Sequence, residues 1–336
     1  SLFDFQVLVP VTIFCIFLFL LGIIGNLMTI LLFQRYKEMR TTTNLYLSSM
    51  AFSDILISLG LPFDLYRIWK YKPYIFGDFL CRFQFYISEA CTYATILHII
   101  ILSVERYLAI CFPLKARSII TKHRVKGVIL VSWVVALTSA IPILFLFGVE
   151  YRDRSLPDSE ESKECKYKVS SAQSGLLQTM TWFSTIYFFL PMLCLIILYG
   201  LICRKLWRSR YEPGRCNTNN RKKYHRQTVK MLAVVVLAFA VCWLPFHIGR
   251  ILFSSTAWTG TAKYRLYNII QYFNLISMLL FYLSASINPI LYNIMSQKYR
   301  AAVYKFLNLR PSLQHRNSSR RSEPTSPGHT EISSYV

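Results

Sequence analysis

Residues 81–113 read CRFQFYISEACTYATILHIIILSVERYLAICFP, and the rest of the chain is organised around this stretch. It starts at a cysteine and finishes just beyond the charged pair Glu105-Arg106. At a rise of about 1.5 Å per residue, a helix places Cys81 and Arg106 ~38 Å apart, which exceeds the ~30 Å hydrocarbon core of a bilayer. The stretch is therefore predicted to be a membrane-spanning helix with one end at each face.

The apolar residues of the whole chain are concentrated in long windows, as in a membrane protein. They make up 54% of the 336 residues, and the mean hydropathy is positive. The windows long enough to span a bilayer are approximately residues 7–33, 44–69, 80–110, 126–148, 175–203, 228–253 and 267–294. The predicted fold is therefore an all-α membrane protein, a bundle of seven transmembrane helices.

The positive charges lie between these windows and orient the chain in the membrane. The net charge of +22 would also suit a nucleic-acid-binding protein. However, Lys and Arg are concentrated in residues 34–43, 112–125 and 204–227 and in the tail after residue 295. By the positive-inside rule these segments are cytoplasmic. We therefore expect a multi-pass plasma-membrane protein with an extracellular amino terminus, a cytoplasmic carboxyl terminus and no nucleic-acid partner.

This orientation leaves one pair of cysteines in the oxidising compartment. The others lie within the spans or at the reducing cytoplasmic face, so a disulfide is predicted between Cys81 and Cys165. It would close a loop of about 85 residues, which the chain-entropy model values at roughly 4–5 kcal/mol. The bond would also fix the extracellular loop over the mouth of the bundle.

Charged residues inside the predicted spans indicate a polar interior. They include Asp54, Asp64, Glu89 and Arg250. A charge that faces hydrocarbon costs roughly 2.5–3.5 kcal/mol, so these side chains should face protein or water. Glu89 and Arg250 fall at comparable depth, and an intramembrane guanidinium requires an acidic partner. Their pair is either a salt bridge that fixes two helices or a bridge across a ligand cavity, and the two roles are compatible.

The segment after the seventh window is predicted to lie on the membrane surface. Residues 297–307 have the apolar and basic spacing of a short amphipathic helix, which suits the anionic lipids of the inner leaflet. The tail from residue 310 is polar and rich in Ser and Thr, so it is predicted to be disordered. The expected division is a seven-transmembrane domain (1–294), an amphipathic juxtamembrane helix (295–309) and a cytoplasmic tail (310–336).

Two features of the tail suggest protein partners. Serines stand among arginines at residues 316–322, a pattern typical of kinase substrates. The last residues, Ser334-Tyr335-Val336, are compatible with strand addition in the groove of a PDZ domain. Short motifs of both kinds also occur often by chance.

Motifs along nearly the whole chain resemble those of the rhodopsin-like G-protein-coupled receptors. Besides the outer cysteine pair, they are Gly25-Asn26, Asp54, Glu105-Arg106-Tyr107, Trp133, Cys242-Trp243-Leu244-Pro245 and Asn288-Pro289-Ile290-Leu291-Tyr292. Within that family, residues 40–50, 91–95 and 243–250 are similar to the motilin and ghrelin receptor group. Residues 61–67, 103–111 and 283–287 resemble its motilin branch more closely. The segment 149–174 is shorter than the long loop of mammalian motilin receptors, which keeps a ghrelin-type receptor as the alternative.

The resemblance implies a receptor for a peptide hormone, with motilin as the expected ligand and ghrelin as the alternative. It implies no enzymatic activity and no required cofactor. The ligand cavity should lie in the outer half of the bundle. Its expected lining residues are Asp64, Glu89, Phe246, Arg250 and Phe281.

The resemblance also implies an activation switch and a cytoplasmic coupling site. The expected switch residues are Trp243, Pro245, Asn288, Pro289 and Tyr292, and the expected coupling residues are Glu105, Arg106, Tyr107 and Tyr199. The implied partners are a G protein of the Gq family, receptor kinases and arrestin. A candidate site for an allosteric sodium ion comprises Asp54, Thr95 and Asn288.

Other functional classes fit the sequence less well. A secondary transporter should show inverted repeats and paired broken helices, which are not evident in the sequence. A retinal-binding opsin needs a lysine in the seventh window, and residues 267–294 contain none. No metal-ligand spacing or nucleophile–base pair in the sequence indicates an enzyme.

Overall fold

The chain forms a bundle of long helices. The computed structural model describes residues 3–151, 162–208, 219–254 and 261–308. In chain order the helices are α1 (Phe5–Arg35), α2 (Thr42–Trp69), α3 (Gly77–Cys111), α4 (Pro113–Ile119), α5 (Lys122–Ala140), α6 (Ile143–Leu146), α7 (Val169–Gln173), α8 (Leu176–Arg208), α9 (Asn219–Ser254), α10 (Thr261–Met295) and α11 (Gln297–Phe306). Within the described ranges, seven helical segments are long and apolar enough to cross a membrane. The predicted seven-span architecture is confirmed.

Side-chain caps set the beginnings of several helices. The hydroxyls of Thr41, Thr121 and Ser296 accept hydrogen bonds from the backbone N–H groups that open α2, α5 and α11. An amino-terminal cap satisfies one of the four N–H groups that a helix leaves without an internal partner. Thr41 and Thr121 therefore mark the points at which the chain re-enters the bundle, and Ser296 marks the start of the helix that follows it.

Two helix boundaries differ from the predicted windows. The window 126–148 is not one helix, because α5 ends at Ala140 and α6 begins only after Pro142. Proline cannot donate the backbone hydrogen bond that would continue the helix. Helix α9 begins at Asn219, before the predicted start near residue 228. Apolar windows detect only the part of a helix that can cross the membrane, whereas its backbone hydrogen bonds continue beyond that part.

The segment between α6 and α7 contains a β-hairpin that the predicted all-α fold did not include. Strands β1 (Phe147–Tyr151) and β2 (Lys163–Tyr167) pair antiparallel, with Val149 opposite Cys165. These strands are short and rich in charge, so their sequence shows no clear alternation of apolar and polar residues. The predicted Cys81–Cys165 disulfide is present and joins β2 to the start of α3.

Hydrogen bonds also attach the hairpin to the outer ends of the helices. A carboxylate oxygen of Asp78, in the first turn of α3, accepts from Val149 N at 2.8 Å. The backbone N–H of Tyr74 donates to Lys163 O at 2.9 Å. The Tyr74 side chain is buried beneath the hairpin, and burial raises its pKa to about 12. The hairpin is therefore fixed over the outer opening of the bundle at several points.

Small residues on α1 bring this helix close to α10. A Cβ atom added at Gly25 would lie 3.0 Å from Cγ of Pro289, so a larger residue would push the helices apart. The side-chain amide of the adjacent residue, Asn26, donates to Ala285 O at 2.8 Å. Small residues and interhelical hydrogen bonds are the usual means by which membrane helices associate.

The amphipathic helix α11 is anchored to the bundle by Tyr299. Its hydroxyl lies 2.8 Å from Oγ1 of Thr29 on α1, and burial raises its pKa. Lys305 lies over the ring of Tyr36, 5.2 Å from the centroid. The predicted segment 295–309 thus contains a ten-residue helix, and the predicted tail lies outside the described residues.

Candidate functional site

Glu89 and Arg250 form an ion pair between α3 and α9. Nη1 of Arg250 lies 3.0 Å from Oε1 and 3.1 Å from Oε2 of Glu89, and the two side chains are only 13–17% exposed. Tyr93, one turn below, donates its hydroxyl to Oε1 at 2.8 Å. The guanidinium also lies 5.2 Å from the ring centroid of Phe246. The structure therefore brings together three of the five predicted cavity residues.

Asp64 is saturated by donors from its surroundings. Its Oδ1 accepts from Gln84 at 2.9 Å and from Arg67 at 3.2 Å, and its Oδ2 accepts from the Tyr282 hydroxyl at 2.7 Å. Arg67 stands one turn away on the same helix, α2. The negative charge of Asp64 is thus neutralised locally, in contrast to the expectation that this acid is available to a basic ligand group.

An aromatic cluster surrounds Trp243 on α9. The ring of Trp243 lies 5.6 Å from Phe246 and 4.9 Å from Phe281, both edge-on, and 5.4 Å from Phe239. Its indole N–H donates to Oγ of Ser284 on α10 at 3.1 Å. The remaining predicted cavity residue, Phe281, therefore touches the predicted switch residue directly. Trp243 and Pro245 lie within α9 and couple its middle to α10.

His247 is also a member of this cluster. It is 3% exposed and stacks on Phe188 of α8 at 4.4 Å. Neither ring nitrogen has a hydrogen-bond partner within the described ranges. The sequence indicated a packing or ligand-contact role for this histidine, and its spacing of four residues from Trp243 puts both on one face of the helix.

Asp54 lies at the centre of the bundle beside a small internal cavity. Its Oδ2 accepts from the Asn288 amide at 2.8 Å, and the side chain is 3% exposed. Oγ1 of Thr95 is buried, lines the same cavity and has no hydrogen-bond partner among the described residues. The three residues of the predicted sodium site are therefore neighbours. The cavity extends to Trp243, so the site and the switch share one space.

The inner end of the bundle holds the predicted coupling residues. Glu105 and Arg106 are less than 10% exposed. The hydroxyl of Tyr199 on α8 lies 3.4 Å from Oγ of Ser103 on α3. Tyr107 packs near Phe112, with ring centroids 6.1 Å apart. Tyr292, which follows Pro289 in α10, is 2% exposed and packs against Tyr299. These side chains lie near the carboxyl-terminal ends of α3, α8 and α10.

Tyr46 also belongs to this region, although it was not predicted from the sequence. Its hydroxyl donates to Oε1 of Glu105 at 2.7 Å, and its side chain is fully buried. Contact between α2 and α3 depends on the rotation of both helices, which hydropathy does not determine. The tyrosine stands in an apolar window and showed no signal of its own.

Comparison with known proteins agrees with the seven-helix fold. The 7 transmembrane receptor (rhodopsin family) model matches residues 25–292. The growth hormone secretagogue receptor type 1 of Oryctolagus cuniculus is 54% identical over 96% of this chain and 87% of its own. The human motilin receptor is 50% identical over 93% of this chain and 84% of its own, and the rat neurotensin receptor type 1 is 36% identical over 93% and 79%.

Proposed function

Because the chain belongs to the rhodopsin family of seven-transmembrane receptors, we propose that it is a plasma-membrane receptor that couples an extracellular peptide hormone to a G protein of the Gq family. Its relatives place it in the ghrelin and motilin receptor group. The distribution of Lys and Arg supports an extracellular amino terminus and a cytoplasmic carboxyl terminus. The hairpin that is tied to Cys81 would then border the entrance for the peptide.

The observation that carries the proposal is the Glu89–Arg250 pair. Its two partners stand on different helices and are mostly buried, so an incoming charged group must reorganise the bridge. A basic group or free amino terminus of a peptide competes with Arg250 for Glu89. Arg250 then becomes a donor for a ligand oxygen. Because Arg250 belongs to the same helix as Trp243, this exchange acts directly on the switch.

Activation follows if the peptide binds better to one arrangement of α9 than to the other. Pro245 interrupts the backbone hydrogen bonding of α9 and provides a pivot. Movement about it changes the contact of Trp243 with Phe281 and with Ser284 of α10. Asn288 and Pro289 lie one to two turns further along α10 and relay the change towards Tyr292.

At the cytoplasmic end, the proposed change opens a site for the G protein. Arg106 leaves Glu105, while Tyr199 and Tyr292 turn towards the space that it vacates. Tyr107 stands next to Arg106 at the edge of this opening. The hydrogen bond between Gln227 on α9 and Met295 O on α10, 2.8 Å long, holds these inner ends together in the present arrangement.

A sodium ion suits the resting state in this proposal. Asp54 supplies a buried carboxylate, and Thr95 supplies a buried hydroxyl oxygen without another partner among the described residues. Oxygen ligands of this kind are those preferred by hard cations. Asp54, Thr95 and Asn288 would hold the ion, which would supply a positive charge beside the buried carboxylate.

Other partners are proposed from the cytoplasmic segments. The basic residues of α11 favour anionic lipids of the inner leaflet. Receptor kinases, arrestin and a PDZ domain bound at Val336 would act on the tail, which lies outside the described residues. These assignments rest on the family and on the sequence.

Motilin is the proposed peptide, and ghrelin is the second candidate. The local stretches 61–67, 103–111 and 283–287 favour motilin. Identity over the whole chain slightly favours the ghrelin branch: it is 54% with the growth hormone secretagogue receptor type 1 and 50% with the motilin receptor. Stretches 61–67 and 283–287 lie in α2 and α10, the helices that carry Asp64 and Phe281, so we give these two more weight than the average over the chain.

The test measures intracellular calcium in cells that express the complete receptor. Motilin and acylated ghrelin are applied separately, with and without a selective inhibitor of Gq. A saturable, inhibitor-sensitive response to motilin is expected, and a response to acylated ghrelin alone would reassign the ligand. Silence towards both peptides, with the receptor verified at the cell surface, would reject the proposed peptide class.

A further inference from the structure

The glutamate beside Arg106 receives a hydrogen bond from a different helix. The hydroxyl of Tyr46, on α2, donates to Oε1 of Glu105, on α3, at 2.7 Å. The other carboxylate oxygen of Glu105 is buried and accepts no hydrogen bond from the described part of the chain. Tyr46 is thus the hydrogen-bond donor that ties this carboxylate to α2.

Tyr46 is in turn held by a polar cluster deeper in the bundle. Its ring lies 6.0 Å from the imidazole of His98, which is fully buried on α3. Ser49, one turn further along α2, lies 3.5 Å from Nε2 of His98 and accepts a 2.9 Å hydrogen bond from the indole N–H of Trp133 on α5. Residues three apart on a helix share a face, so Tyr46 and Ser49 point to the same side. The cluster therefore joins α2, α3 and α5 and leaves the tyrosine ring little freedom.

We propose that Tyr46 is a positioning residue of the coupling site, whose hydroxyl holds Glu105 beside Arg106 and thereby favours the resting state. This inference rests on the proposed function, in which Arg106 leaves Glu105 when the G protein binds. An arginine is restrained by a neighbouring carboxylate only while that carboxylate keeps its orientation. Without the hydroxyl, the Glu105 carboxylate is free to turn away, and the resting state loses a hydrogen bond to a charged acceptor.

The experiment compares wild type with Tyr46→Phe, which removes the hydroxyl and keeps the ring. Membranes that contain the complete receptor are mixed with purified Gq heterotrimers, and nucleotide exchange is measured without any peptide and normalised to the amount of surface receptor. We expect an increase of roughly three- to tenfold, as the loss of one hydrogen bond of ordinary strength would give. Tyr304→Phe, at a 46% exposed tyrosine on α11, is the matched control and should leave the exchange rate unchanged.

Glu105→Gln and the double variant separate this role from a general loosening of the bundle. Glu105→Gln should raise exchange by itself, and addition of Tyr46→Phe should then have no further effect, because both changes act through one carboxylate. Additive effects, or an unchanged or reduced rate for Tyr46→Phe alone, would overturn the role of Tyr46 and leave the proposed function intact. If Glu105→Gln has no effect with Gq, Gi or Gs heterotrimers, the proposed switch itself fails and the inference fails with it.

Discussion

The two carboxylates of the outer cavity, Asp64 and Glu89, are equivalent in the sequence and different in the structure. Both are acids inside predicted spans, and the resemblance to receptors assigned both to the ligand. Asp64 accepts three hydrogen bonds, and its cation is Arg67 from the same helix. Glu89 takes its cation from α9, on the other side of the cavity, and one hydroxyl from its own helix.

The two carboxylates differ in which helices respond when one of their partners is replaced. Replacement of a donor at Asp64 alters contacts of α2 and α10, whereas exchange of the cation at Glu89 releases Arg250 and with it the outer half of α9. The helix that carries Trp243 is therefore sensitive to Glu89. We infer that Glu89 is the acid that a peptide must engage and that Asp64 mainly shapes the wall of the cavity.

The largest loss of peptide potency is expected for Glu89→Gln. The substitution leaves Arg250 in a mostly buried position without its anionic partner, and loss of one member of such a pair costs roughly 2–5 kcal/mol. The potency of the activating peptide should therefore fall by roughly thirty- to several-thousandfold. The measurement is the peptide concentration for half-maximal calcium release, with surface expression matched to wild type.

A charge-swapped receptor, Glu89→Arg with Arg250→Glu, distinguishes a ligand contact from a structural bridge. The swap restores an ion pair between the same helices but reverses its direction. If Glu89 meets the peptide, potency stays low although the receptor reaches the surface. Recovery of wild-type potency would mean that the bridge only fixes α3 to α9, and the contrast with Asp64 would then disappear.

Most of the fold was predictable because the membrane imposes it. Every backbone group in hydrocarbon must be paired within its helix, so an apolar window of spanning length has a single structural solution. The same constraint does not act on the loop between α6 and α7, where β1 and β2 were not predicted. Pro142 was visible in the sequence, but hydropathy alone could not show whether it would bend the helix or end it.

The site was predictable only in part, because pairing depends on the rotation of the helices. Depth along the membrane follows from residue number, and it correctly brought Glu89 to the level of Arg250. Which side of a helix faces which neighbour is set by packing. Three features of the site depend on this rotation of the helices: the donors to Asp64, the burial of His247 and the Tyr46–Glu105 hydrogen bond.

Substitution of two tyrosines, one at each carboxylate, should change peptide potency by an intermediate amount. Tyr93 donates to Glu89, which has one other partner, whereas Tyr282 donates to Asp64, which keeps two other donors. Tyr93→Phe should therefore lower peptide potency by roughly five- to tenfold, the equivalent of ~1–1.5 kcal/mol. Tyr282→Phe should lower it by less than about threefold in the same assay, since two donors remain on its carboxylate. Equal losses would show that the two acids are functionally alike.

The smallest effect on potency is expected for Asp64→Asn. An asparagine retains an acceptor for Tyr282 or Gln84 and loses the charge-assisted bond to Arg67, which is 25% exposed and can turn to water. Potency should fall by only about two- to threefold, while the free energy of unfolding of the purified receptor falls by roughly 1 kcal/mol because the local network is weakened. Peptide potency and thermal denaturation in detergent are therefore measured on the same variant. A thirtyfold loss of potency with unchanged thermal stability would contradict the comparison, since it would place the peptide on Asp64 itself, as the sequence alone had suggested.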